Sequence, residues 1–454
     1  MKKAGMKMRF SEERITKETV NIKTEYFTEL CRGVKNAFTR IRKITLFMLV
    51  MTILERKGLT LSMEIRNFKG LGMIKEKITK TAYLNQRKKL NPGALLELCK
   101  YHNRGLYDDG EMKTYKGYLI LASDGSDLNI PTTKETLEVY GSSSRKGVKL
   151  QAALGLSCLY DCINRTILTC SINRGKFNEA LQAEVHIKEL PELVGDYKSI
   201  ITLDRGYPSL PLLMRLNAAG QKFLIRLGSK DFKNEQQSMK TNDEPVDIAV
   251  TKSRLSHYKG TETYEQLVAL GNINLRMVKI FLDCGTVQVL VTNLDSNEFD
   301  TEELSALYKM RWGIETAFDT LKNKLAIENF IGTKPVLIEQ DIYASIYICN
   351  LSSDLIADAQ VALDDSETQR LADNSSANPK KHPMAINRSF AIGVIKDLLI
   401  KAIISKSAKK KTALFNQMIE ETKTEVLPVR HSRSFSRSKG QRAAKFSNSR
   451  KRVF

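Results

Sequence analysis

Apolar positions recur near the 3.6-residue period from residue 15 to residue 106, with Phe38, Ile41, Ile44, Leu46, Phe47, Leu49 and Leu54 as one run, and strand signals are scarce there. This predicts a helical N-terminal region. Within it, residues 60–68 and 82–90 are expected as two short helices, parted by Gly70-Leu71-Gly72, with Thr79 or Thr81 as the second N-cap. Beyond residue 110 the texture changes to compact apolar runs. Residues 118–124 and 199–204 are two of these, each ending in an acid, Asp124 and Asp204. Stretches 148–160, 166–172 and 223–227 read as further strands, and 179–190 and 210–219 as helices. That order describes an α/β unit around a central mixed sheet. Charged loops and β-rich stretches at 275–282 and 287–292 mark residues 229–299 as an inserted β subdomain. Residues 301–330 read as one long helix with Thr301, Glu302 and Glu303 in its first turn, 364–383 as a linker, and 385–422 as helical. From Pro428 the chain is a Ser/Arg/Lys-rich tail expected to order only on binding.

With 454 residues, 42% of them hydrophobic, the chain can fill several cores, which excludes a collagen-like repeat, a disulfide scaffold and wholesale disorder. The net charge of +21 is unevenly placed: residues 1–100 hold 23 Lys/Arg against 9 Asp/Glu, and residues 430–454 hold nine Lys/Arg and no acid. The middle is therefore close to neutral. Two separated cationic ends favour nucleic acid over an anionic lipid surface as the partner. The expected helix 82–90 offers Asn85, Gln86, Arg87 and Lys88, with Lys89, as a polar basic face suited to a DNA major groove. Seven scattered cysteines lack zinc-site spacing and read as buried thiols of a reducing compartment. The apolar run 44–54 is too short to span a bilayer, so no membrane partner is expected and a cytoplasmic, nucleoid-associated location is.

Asp124 and Asp204 each close an apolar run directly before a glycine-containing turn, Gly125-Ser126 and Arg205-Gly206. A carboxylate there costs free energy unless it is hydrogen-bonded, paired or bound to a cation, although capping of a turn is an ordinary use for either alone. On neighbouring strands the two would repel, which favours a divalent metal between them. Tyr308, Arg311, Glu315, Asp319 and Lys322 follow helical spacing along one face. Spacing alone equally describes a solvated stripe with an Arg311–Glu315 ion pair.

The Y-x2-R-x3-E-x6-K pattern at Tyr308, Arg311, Glu315 and Lys322, preceded by Asp124-Gly125-Ser126 and Asp204-Arg205-Gly206-Tyr207, resembles the signature of DDE transposases of bacterial insertion sequences. The resemblance covers roughly residues 30–450, with the β-rich insertion in the family's place and a basic stretch from Pro428 to Arg433 like the family's C-terminus. It implies an α/β fold with a ribonuclease-H-like core at 111–228 and 300–363, the β-rich insertion at 229–299, an α-helical DNA-binding domain at 1–110, and a helical, basic region at 364–454. It also implies Asp124, Asp204 and Glu315 as catalytic ligands of two divalent ions, normally Mg²⁺ with Mn²⁺ as a substitute, in agreement with the hard oxygen donors such ions take. Tyr308, Arg311 and Lys322 would hold DNA phosphates, with Arg205 and Trp312 among the DNA contacts. The implied partner is double-stranded DNA, as terminal repeats and as target, cut and joined by a homodimer in a synaptic complex. Asp127 and Asp319 compete as ligands on geometry, but Glu315 completes the four-residue pattern. One departure stands out: some relatives carry a base-stacking tryptophan in the insertion, whereas this chain's single Trp is Trp312. The alternative is a catalytically inactive DNA-binding protein derived from a transposase. A two-carboxylate glycosidase using Asp124 and Glu315 conflicts with the cationic flanks and the scarcity of aromatics.

Overall fold

The computed structural model of the chain describes residues 10–40, 43–142, 150–175, 177–282, 285–373, 378 and 380–430. Six helices come first: α1 (Phe10–Asn21), α2 (Glu25–Leu30), α3 (Leu46–Leu54), α4 (Leu61–Gly70), α5 (Lys80–Arg87) and α6 (Gly93–Asp108). Then follow β1 (Leu119–Asn129), α7 (Lys134–Tyr140), β2 (Ala153–Asp161), β3 (Thr166–Arg174), α8 (Glu179–Lys188), α9 (Leu190–Val194), β4 (Ser199–Leu203), α10 (Leu210–Ala218) and β5 (Lys222–Leu227). The next stretch holds α11 (Lys233–Ser238), β6 (Asp243–Ile248), α12 (Glu262–Leu270), β7 (Ile273–Phe281) and β8 (Val287–Thr292). Helices α13 (Thr301–Met310) and α14 (Trp312–Asp319), a π-helical turn at Thr320–Lys324, α15 (Pro335–Asp373), β9 (Met384–Ile386), α16 (Arg388–Ile404), α17 (Ala408–Thr422) and β10 (Val426–Pro428) complete the order. Described residues within 111–128 and 140–318 form one compact unit, and those within 1–110, 129–139 and 319–454 the other.

The first unit is built on a mixed eight-stranded sheet in the order β3-β2-β1-β4-β5-β8-β7-β6. β1, β4 and β5 run parallel, with Ala122 opposite Thr202 and Thr202 opposite Leu224, while β2 and β3 form an antiparallel pair. Every residue of β2 and of β4 is buried, as are Leu119 to Ser123 of β1, so these strands are covered on both faces and read in the sequence as continuous apolar runs. Two sequence expectations are corrected here. β1 does not end at Asp124 but continues to Asn129. The stretch 229–299 does not stand apart either: β8 pairs with β5, Leu224 opposite Thr292, and β7 and β6 extend the same sheet. The insertion thereby covers an edge that β5 would otherwise expose.

Helix α13 lies on this sheet, with Leu304 and Leu307 packed in a core with Ile120, Ile200, Leu224, Val278 and Leu290. Its start is a capping box in which Asp300 and Glu303 satisfy each other's backbone amides, one residue before the expected Thr301. The single helix expected over 301–330 is divided. Arg311 N–H turns back to the Tyr308 carbonyl at 3.2 Å, α14 restarts at Trp312, and the π-helical turn follows Asp319. Gly313 follows the break and allows close packing there, since a Cβ would lie 3.2 Å from the Tyr160 ring and 3.8 Å from Cys162 Cα. The junction sits close against the end of β2.

The second unit is helical and centred on α15, whose residues from Leu337 to Ile356 are largely buried. The N-terminal helices, expected as a domain of their own, share this core. Arg87 of α5 is fully buried; it donates to Asp341 Oδ1 at 2.6 Å and to Gln340 Oε1 at 3.0 Å, and Arg56 also pairs with Asp341 at 2.8 Å. Arg14 of α1 joins Asp354 of α15 and Asp109 after α6, and His102 of α6 meets Glu18 of α1 at 2.5 Å. The expected linker is helical as far as Asp373, and β9 pairs with β10, Ile386 opposite Val426. The basic tail from residue 431 lies outside the described residues.

Candidate active site

The parallel register of β1 and β4 sets the site. Ala122 and Thr202 are partners, so Asp124 and Asp204 stand the same two positions further along adjacent chains. Adjacent strands lie about 4.8 Å apart, which brings two acids to one end of the sheet. Each has a different environment. Burial pushes the Asp124 carboxyl up to about 6, with Glu179 and Glu315 adding to the rise, against a 2.9 Å bond from the Gly125 amide and the attraction of Arg311. Burial also acts on Asp204, but the Arg205 amide, Arg311 and the Tyr308 hydroxyl together outweigh it and hold Asp204 below the usual carboxylate range.

Helices α13 and α14 add the other half. Tyr308 Oη donates to Asp204 Oδ1 at 3.1 Å. Arg311, only 6% exposed, donates from Nη2 to Glu315 Oε1 at 2.7 Å, brings Nη1 to 3.9 Å from Asp124 Oδ2, and lies over the Tyr308 ring at 5.7 Å. One guanidinium thus touches or faces every member of the group. Among the described residues its Nε has no hydrogen-bond partner. Asp124, Glu315 and Tyr308 of the signature are therefore each within reach of one buried cation, and Tyr308 links the group to Asp204.

A family profile for the transposase DDE domain matches residues 115–351, just over half of the chain. The chain belongs to the DDE transposase family. Over 68 residues the chain is 32% identical to the putative transposase InsL of insertion sequence element IS186A of Escherichia coli (strain K12), and equally to the transposase of element IS421 of Escherichia coli. Each match covers 15% of this chain and 18% of the relative, so the matched stretch spans under a fifth of those proteins. A solved piggyBac transposase synaptic complex with hairpin DNA is similar at a TM-score of 0.39 and 10% sequence identity, covering 91% of this chain and 82% of that one.

The remaining expected contacts fall into three groups. Arg205, in the turn after β4, and Trp312, at the start of α14, are exposed beside the acids. Lys322 lies half-buried in the π-helical turn, which belongs to the other unit, and the interrupted helix removes the continuous face on which its spacing had placed it. On α5, Asn85 and Lys88 are exposed and Gln86 is half-buried, but Arg87 is not on that face. It shares with Tyr83, four residues earlier, the buried side of the helix. Arg87 is thus part of the helical core and presents no side chain to a DNA groove. Asp319 is exposed and accepts a bond from Asn323, and Asp127 is exposed on β1. No helix among the described residues is long and apolar enough to cross a membrane.

Two residues near the acids were missed. Glu179, the first residue of α8, has its carboxyl raised by burial and by Asp127 and Asp204, and it acts in turn on Asp124. Tyr207 is buried, with its hydroxyl raised by burial and by Asp124 and Glu179. In the sequence Glu179 is one more acid in a helix's first turn, where the dipole favours it anyway. The only sequence signal for Tyr207 is its place three residues after Asp204.

Proposed function

We propose that this transposase cleaves DNA at the ends of its own insertion sequence and joins the freed ends to target DNA, with Asp124, Asp204 and Glu315 holding two divalent cations, normally Mg²⁺. The observation that carries this reading is the register that delivers Asp124 and Asp204 to one sheet end, with Glu315 tied in through Arg311. The strand order β3-β2-β1-β4-β5, with β1, β4 and β5 parallel, supports a ribonuclease-H-like core. The donors suit the ion in kind, being hard carboxylate oxygens on two adjacent chains of the sheet and on α14. Among the described residues no three Asp, Glu, His or Cys groups yet converge as a ligand set. Arg311 pairs with Glu315 there, and a bound cation would take over the charge balance that this arginine now supplies. When bound, the ions would activate the attacking oxygen and steady the leaving oxygen of an in-line phosphoryl transfer.

The chain's own groups supply the rest. Tyr308 fixes the orientation of Asp204, and Arg311 offsets the repulsion among the acids until the cations do so. Arg205 and Trp312, exposed at the site, would meet phosphate and base, and Lys322, in the other unit, is a separate candidate for phosphate. The exposed Asn85 and Lys88 with Gln86 would touch the terminal repeat. Excision requires two ends to meet, which favours a homodimer with two-fold symmetry. The test is cleavage of a DNA fragment bearing the element's terminal repeats in Mg²⁺ or Mn²⁺. The wild type should cut at the repeat ends and Asp124→Asn should not, with both proteins binding the fragment. A wild type that binds the repeats and never cuts would establish the non-catalytic reading instead.

A further inference from the structure

We propose that a cavity in the helical unit seats the sugar-phosphate backbone of the terminal-repeat duplex beside the groove met by α5, a site that rests on the DNA-end reading above and adds a backbone anchor to it. The cavity measures about 460 Å³ and is walled by the loop 34–40, by residues 44–46 at the start of α3, and by Gln86 and Lys89 at the end of α5. That volume lies in the range of roughly 300 to 1,000 Å³ usual for ligand clefts. Its three charged wall residues, Lys35, Arg40 and Lys89, are all cations. Among the described residues none of these three side chains makes a hydrogen bond or an ion pair. Nearby cations outside the wall are neutralised, Arg32 by Glu29 and Lys43 by Glu76. The wall therefore lacks an anion.

Two features make that anion the backbone of a duplex. α5 presents Asn85 and Lys88 to solvent, and Gln86 and Lys89 each follow one of them, so helical spacing sets the cavity pair directly beside the exposed pair. A helix that lays its polar face in a groove needs phosphate contacts at the flank of that face to fix its register. The cavity lies at that flank. The other feature is the mixed character of the wall. Phe38 is half-buried in it and held at φ 60, with Asn36 at φ 62. A bulky side chain rarely adopts this conformation, and such strain persists mainly where a ligand is clamped. With Val34 and Leu46, Phe38 gives the wall an apolar part on which a deoxyribose packs while the phosphates on either side meet the cations. A small inorganic anion would leave that part unused.

The test uses the full chain and reads binding of repeat and unrelated duplexes across about 50 to 200 mM salt. Replacing Lys35, Arg40 and Lys89 together by Gln should weaken repeat binding and flatten the slope of log K on log salt by about 2 to 3, at about 0.9 per phosphate. Repeat duplexes carrying single neutral methylphosphonates locate the contact: a few adjacent positions should weaken binding by the wild type and make no difference to the triple variant. Phe38→Ala should lose several-fold in affinity with the slope unchanged, because it removes packing and no charge. Replacing the exposed Lys406, Lys409 and Lys410 by Gln removes the same charge elsewhere and should leave the methylphosphonate pattern as in the wild type. Thermal melting confirms that each variant is folded. If the triple variant keeps the wild-type pattern, if the Lys406, Lys409 and Lys410 control erases the same positions, or if Phe38→Ala binds as the wild type does, the cavity is not the anchor and only this inference fails. If the wild type does not distinguish repeat from unrelated duplex, the DNA-end reading fails and takes this inference with it.

Discussion

Arg311 shows how one side chain decides whether an acidic site is stable before its substrate arrives. Its guanidinium pairs with Glu315 and faces Asp124 from within the unit, so removing it leaves carboxylates with no counter-charge. Arg311→Ala should cost about 2 to 3 kcal/mol of stability, less than the roughly 3 to 5 for a fully buried pair because the Glu315 side chain is 35% exposed. Urea unfolding would measure this, and a variant as stable as the wild type would exclude the counter-charge role. Divalent ions should restore part of the loss, which a passive phosphate contact would not predict. The acids should behave differently: Asp124→Asn, Asp204→Asn and Glu315→Gln should each abolish strand cleavage and leave repeat binding near normal, whereas Asp319→Asn should be mild because Asp319 is exposed and bonded to Asn323. Retained cleavage in any of the first three would remove that residue from the centre. Tyr308→Phe keeps the ring under Arg311 but loses the bond to Asp204, worth about 1 kcal/mol, so cleavage should slow by several-fold with binding unchanged.

At the scale of elements, what could be read in advance depended on whether the cause was local. β1, β4 and β5 were legible because strands covered on both faces leave unbroken apolar runs, and α8 and α10 because capping and period agree. The division between α13 and α14 was not, since the junction packs through Gly313 against Tyr160 and Cys162, residues distant in the sequence. Arg87 was misread for the same reason: its partner Asp341 is 254 residues away, and an arginine on a short helix looks like surface until that partner is known. Arg87→Ala should therefore lower stability by about 3 kcal/mol and leave DNA sequence preference alone, while Asn85→Ala with Lys88→Ala should do the reverse. Melting temperatures and competition binding separate the two. Helix α6 offers a pH test. Burial alone would lower the His102 pKa, but Glu18 and Asp354 outweigh burial and Arg14 and hold it above 6.5. The stability this adds is fully present below the unfolded value and is lost as pH rises through the raised folded value. Thermal melting should thus fall from about pH 6.5 upward in the wild type and fall less in His102→Gln. An equal slope in both proteins would show that His102 is neutral throughout.

Over the whole molecule, the proposed function assigns DNA holding to the cationic flanks and cutting to the acids, and the distribution of charge makes that division testable. The acids sit in a unit drawn from the near-neutral middle of the sequence, whereas the net positive charge is concentrated in residues 1–100 and 430–454. Contacts made by such flanks are mainly with phosphates, and each phosphate neutralised releases counterions, steepening the fall of log K with log salt by about 0.9. Residues 431–454 hold eight Lys/Arg and no acid, so deleting them should flatten that slope by several units if the tail lies on DNA. Preference for the terminal repeat over unrelated DNA should change little, because phosphate contacts position a protein without reading sequence. Cleavage per bound complex should also survive, since none of the residues assigned to the centre lies beyond Glu315 except Lys322. A titration of repeat and unrelated duplexes across about 50 to 200 mM salt distinguishes the possibilities. An unchanged slope after deletion would place the tail off the DNA. A collapse of repeat preference with the slope intact would instead make it a sequence reader.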